Sequence, residues 1–80
     1  MILITARGEM IKDPCHIGYY SDSEPLAINL VIIAAIPKGC NQRVIVGRVY
    51  NDKDAVDAIH RYAMAVKRDS KEIVSWNELI

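Results

Sequence analysis

The sequence predicts an α+β fold: a small, mostly antiparallel sheet of three to five strands with one helix packed on a face. Three observations carry this. Leu26 to Ile36 is a run of eleven residues, apolar at every position but Asn29 and rich in β-branched side chains. Such a run reads as a central strand covered on both faces. Turn-forming residues, Pro37 to Gln42, then lead into a second β-branched segment, Arg43 to Tyr50, its hairpin partner. From Asn51 the apolar period becomes helical, with Ala55, Ile59, Tyr62, Ala63 and Val66 on one stripe and Ala58 and Ala65 beside it.

In chain order the elements are β-β-loop-β-β-α-β. Ile2 to Arg7 is short and β-branched, a strand by composition. Gly8-Glu9 turns the chain and Met10-Ile11-Lys12 returns it. Asp13-Pro14 breaks the return, because the residue before proline is pushed away from helix. Cys15 to Glu24 reads as loop, with Gly18, Ser21, Asp22 and Ser23 interspersed and only Ile17 to Tyr20 able to form a strand fragment. Gly47, inside the hairpin partner, marks a bulge or a close approach. Asn51 or Asp52 caps the helix, and Asp52, Asp54 and Asp57 favour its positive end. Lys67 and Arg68 suit its last turn. Glu72 to Trp76 is a last strand, expected to pair with the first, and Asn77 to Ile80 is a tail.

The 80 residues amount to a single domain, 1–80. Ten basic and ten acidic residues cancel, and 51% hydrophobic content is that of a globular chain. A strongly basic nucleic-acid-binding surface is therefore not expected. The N-terminal segment has no basic n-region and a short apolar stretch, unlike a signal peptide. The longest apolar run falls well short of the roughly 20 residues of a membrane span. The expectation is a cytoplasmic protein without membrane association, with Cys15 and Cys40 as free thiols.

Chemistry-bearing motifs are sparse. Cys15, His16, Cys40 and His60 are the only soft metal ligands, and none is paired at zinc spacing. Cys15-His16 is the one nucleophile–base candidate, and adjacency in sequence does not create catalytic geometry. The aspartates at the helix start are explained by capping. Glycines are scattered, so no phosphate-cradling loop can be drawn. The expectation is no enzyme, no cofactor and no metal.

Apolar surface is the informative anomaly. The strand at 26–36 wants cover on two faces and the sequence supplies one helix. The second face must be closed by residues 8–25, by a twin subunit in a homodimer, or by a partner. The reading that follows is a non-catalytic protein-binding or inhibitory domain acting by surface contact. Its format is that of small phage or mobile-element inhibitors of host machinery, such as anti-CRISPR proteins. The partner-binding candidates are Tyr19, Tyr20, Lys38, Arg43, Arg48, Arg61 and Arg68. Tyrosine and arginine are enriched at interface hot spots. The alternatives are a small nucleic-acid-binding domain, drawing on the basic residues of the second half, and a thiol enzyme or a subunit of a larger enzyme.

Overall fold

The computed structural model describes residues 1–21 and 30–80. Its elements are β1 (Ile2–Ile4), β2 (Met10–Lys12), β3 (Pro14–Ser21), β4 (Val31–Pro37), β5 (Val44–Val49), α1 (Asp52–Lys67), β6 (Ile73–Ser75) and α2 (Trp76–Leu79). The fold is α+β, with the helix packed on small sheets. The strands divide into two three-stranded sheets, ordered β2-β1-β6 and β3-β4-β5.

The first sheet starts from a tight turn. Gly8 takes φ +85°, a conformation that favours glycine. The Thr5 N–H donates to the Glu9 carbonyl at 2.8 Å, and the buried Thr5 hydroxyl accepts from the Glu9 N–H at 3.1 Å. These bonds set the antiparallel register Leu3 to Ile11. The first and last strands do pair, in parallel, with Leu3 beside Val74. Each three-residue strand turns its middle residue inward, so Leu3, Ile11 and Val74 are almost fully buried.

Asp13 is the pivot between the sheets. Its φ is +47°, which an aspartate tolerates better than most residues. Its N–H donates to the Met1 carbonyl at 2.8 Å, and its own carbonyl accepts from the Lys38 N–H at 3.1 Å. A second link joins the sheets where the Ala6 N–H donates to the Val46 carbonyl at 2.8 Å.

The second sheet corrects the reading of Cys15 to Glu24 as loop. Through Ser21 this segment is β3, paired along its length with β4, with one irregularity between Pro14 and His16. Its side chains do not alternate cleanly between apolar and polar: Tyr19 and Ser21, on the face of Ile17, are exposed while Tyr20 on the other face is half-buried, and that hid the strand. Within 8–25, Met10 to Lys12 therefore belongs to the first sheet and Pro14 to Ser21 lies beside β4 as a strand of the same sheet, not over its second face. β4 is central, and Val31 to Ala35 are buried on both faces. The expected start of that strand, 26–29, and Asn29 with it, lie outside the described residues.

The β4–β5 ladder shifts register where Ile33 stands opposite Gly47 and Ala34 opposite Ile45, leaving Val46 as the extra residue of a bulge. Gly47 adjoins that bulge and is also a close approach. A Cβ built there would lie 2.6 Å from the Trp76 indole.

Asn51 is the helix cap, its Oδ1 accepting from the Asp54 N–H at 2.8 Å. The buried stripe of α1 is centred on Ala55 and Ala58, with Ile59, Tyr62, Ala65 and Val66 packed on the core. Two small residues let the N-terminal half of the helix approach closely. Ala58 and Ala65, read as flanking, belong to the stripe, and Ala63 stands outside it.

The C-terminal tail of the sequence reading is instead the short helix α2. Ser75 precedes it, and the Glu78 carboxylate accepts from the Ser75 N–H at 2.9 Å. Ser75-Trp76-Asn77-Glu78 has the spacing of a capping box. Trp76 and Leu79 complete a core shared by both sheets and both helices. Among the described residues, no helix is long and apolar enough to cross a membrane.

Candidate functional site

The end of β5, the Asp54-to-Arg61 stretch of α1, and α2 enclose an open cleft of about 360 Å³. β5 runs directly into the cap of α1, which delivers Arg48, Val49 and Tyr50 to one wall. Asp54, Asp57 and Arg61 follow at i, i+3 and i+7 and share a helix face. Trp76, Leu79 and Ile80 come from the other end of the chain. Arg61 Nη1 donates to the Leu79 carbonyl at 2.9 Å and ties α2 to α1. A charged donor at that position answers a carbonyl that the last turn of a helix leaves unpaired.

The cleft has buried apolar material from Trp76 and Leu79, and exposed apolar material on either side. Tyr50 is 78% exposed and Ile80 63% exposed. Two arginines and two aspartates line it together, so it carries no excess of one charge. This is a mixed, amphipathic surface and not a phosphate cradle.

The seven residues singled out from the sequence separate into distinct surfaces. Arg48 and Arg61 meet in this cleft. Arg61 also borders a shallower groove between the second half of α1 and α2, together with Arg68, Lys71, Asp69 and Glu78. There Lys71 pairs with Glu78. That contact draws the Glu78 carboxyl below its ordinary range, aided by the Ser75 N–H, and raises the Lys71 ammonium above its own.

Tyr19 and Tyr20, expected in a loop, are neighbours on β3 and so face opposite ways. Tyr19 shares a face with Ile33, toward the helix, and Tyr20 shares one with Ile32. The Arg43 guanidinium lies over the Tyr20 ring, 4.5 Å from its centroid. Beside this pair, Gly18, Ala34 and Ile36 floor a small groove. Lys38 sits in the turn after β4, apart from the others, and its N–H is spent on Asp13.

Besides Val49 and Leu79, the cleft residues absent from the sequence-based candidates are Tyr50, Trp76, Asp54, Asp57 and Ile80. The aspartates had a sufficient explanation as helix-start charges. Gly47 was the available signal for Trp76, because a glycine inside a β-branched strand asks what presses against it.

Cys15 and Cys40 are free and exposed. Cys15 Sγ makes a long contact of 3.7 Å with the Asp13 carbonyl. Among the described residues, no three of His, Cys, Asp and Glu converge as metal ligands. Asp13 accepts from the Met1 amino group at 2.9 Å, which lowers its carboxyl below the usual value. Burial raises the Tyr62 phenol. Compared with known proteins, the chain matches no family model, no curated protein and no solved structure.

Proposed function

We propose that this chain is a non-catalytic binding protein that engages a partner protein through the cleft between β5, α1 and α2. The observation that carries the reading is the composition of that cleft. Tyrosine, tryptophan and arginine, the residue types that dominate interface hot spots, converge there. Exposed Tyr50 and Ile80 border it without a described cover. The balanced arginines and aspartates favour a partner of mixed charge over a polyanion. An inhibitor of host machinery from a phage or mobile element, acting in the cytoplasm as anti-CRISPR proteins do, is the form of this reading that the small size favours.

The test is affinity capture from the native host with nuclease treatment, repeated with Tyr50→Ala and Ile80→Ser. Both side chains are exposed, so both variants retain the fold. Capture of a defined protein that survives nuclease and is weakened at least tenfold by Tyr50→Ala is the expected result. Capture abolished by nuclease would turn the reading to nucleic acid. Capture unaffected by both substitutions would remove the cleft from the account.

A further inference from the structure

We propose that a second copy of this chain adds to the outer edge of β3, which no other described strand pairs, joining two β3-β4-β5 sheets into one six-stranded antiparallel sheet about a two-fold axis at Gly18. An edge strand presents unpaired N–H and C=O groups, and proteins normally guard such edges with charge, proline, bulges, shortness or cover. The other edges here are guarded. β2 and β6 are three residues long, and β2 carries Lys12. β5 carries Arg48 and a bulge, and Ala6 bonds to its edge at Val46.

β3 differs from these. It is eight residues long and has no acidic residue, lysine or arginine. Its proline and its irregularity both lie at its beginning. From His16 to Ser21 the strand pairs regularly with β4 on one side. Among the described residues, no strand or backbone hydrogen bond meets its other side.

Symmetry narrows the register. Residues opposite one another in an antiparallel pair share a face, and neighbours along a strand do not. A two-fold axis perpendicular to the sheet must therefore pass beside a residue, not between two. Centring on Ile17 would use the irregular Pro14–Cys15 end, where proline has no N–H to give. Centring on Tyr19 would set Ile17 against Ser21.

Centring on Gly18 pairs Ile17 with Tyr19 of the second copy on the helix-facing side, and His16 with Tyr20 on the other. It extends the core outward from Ile17, which already packs on it. It also covers Tyr19, now 44% exposed. The functional cleft opens at the opposite edge of this sheet, so the dimer leaves it accessible and the two proposals fail separately.

Gly18 supplies the test. A Cβ there would meet nothing within 4 Å, so substitution does not disturb the protomer. Directly opposed antiparallel residues have Cα atoms about 4.5–5.5 Å apart, inside the disulfide range of roughly 4.4–6.8 Å. In a Cys15→Ser, Cys40→Ser background, Gly18→Cys is expected to cross-link to a covalent dimer on mild oxidation. Gly18→Lys, which sets two ammonium groups against each other, is expected to sediment as a monomer with an unchanged circular dichroism spectrum. The unmodified chain is expected to reach twice the 9.0 kDa mass of one chain as concentration rises from about 1 to about 100 μM. A monomer across that range would overturn the proposal. So would a dimer that persists in Gly18→Lys, or one that Gly18→Cys does not cross-link.

Discussion

Gly47→Ala places one methyl group where the Trp76 indole already stands. The added Cβ would lie 2.6 Å from Cε2, Cζ2 and Cη2 of the ring, against 3.4–4 Å for ordinary contact. The indole must retreat by roughly 0.8 Å before the contact is normal, and a close-packed interior resists that. Trp76 is only 8% exposed and packs in the core with Leu79 and Val46, while Ser75 holds the start of its helix through Glu78. Overpacking of this kind costs about 1–3 kcal/mol. In a domain of this size each kcal/mol lowers Tm by roughly 4–8 °C, so the variant should melt well below the parent.

Trp76 is the only tryptophan, and its emission therefore reports its own displacement. Thermal melts followed by circular dichroism and by fluorescence give the two readouts. A smaller ring should relieve the clash, so Gly47→Ala should cost less in a Trp76→Phe background than alone, a non-additivity expected only of residues in contact. An unchanged Tm and unchanged emission in Gly47→Ala would refute the packing of α2 on the bulge.

Asn51→Ala removes the helix cap and should cost about 0.5–2 kcal/mol in denaturant unfolding, whereas Asp52→Ala should cost less. Arg61→Ala removes the donor to the Leu79 carbonyl and should cost about 1 kcal/mol, with a shift in Trp76 emission as α2 loosens. Glu78 has a lowered pKa in the folded chain, so the stability it contributes is present above its ordinary value of 4.5 and is lost as pH falls through the lower folded value. Glu78→Gln should therefore be less stable than the parent at neutral pH, and melts taken at decreasing pH below 4.5 should show the two converging. Cys15→Ser and Cys40→Ser, both at exposed positions, should change unfolding free energy by less than about 0.5 kcal/mol.

The parts of the fold legible in sequence were those with strong local signals. The β-branched run at 31–36, the Asn51 cap and the alanine-containing helical stripe each announce themselves within a few residues. The pairing of the two terminal strands was also anticipated, from the small size of the chain alone. β3 was missed because neither of its faces is uniformly apolar, with Tyr19 exposed and Tyr20 half-buried, and because Gly18 and Ser21 look like loop. The split into two sheets was missed because it depends on Asp13, whose left-handed backbone and bonds to Met1 and Lys38 are non-local. α2 had a readable signal in Ser75 and Glu78, outweighed by the β-branched Ile73 and Val74 just before it. The site was less legible than the fold. Arg48 and Arg61 stand out individually by residue type, but their convergence with Tyr50 and Trp76 depends on α2 folding back against the start of α1.

A partner protein docked in the β5–α1–α2 cleft, as proposed, would shield the backbone there. Amide hydrogen exchange on the chain with and without its captured partner tests this most directly. Slowed exchange over residues 48–54 and 76–80, with residues 10–12 unchanged, is the predicted footprint. A footprint confined to β2 and the outer face of the first sheet, leaving residues 48–54 and 76–80 unaffected, would contradict it.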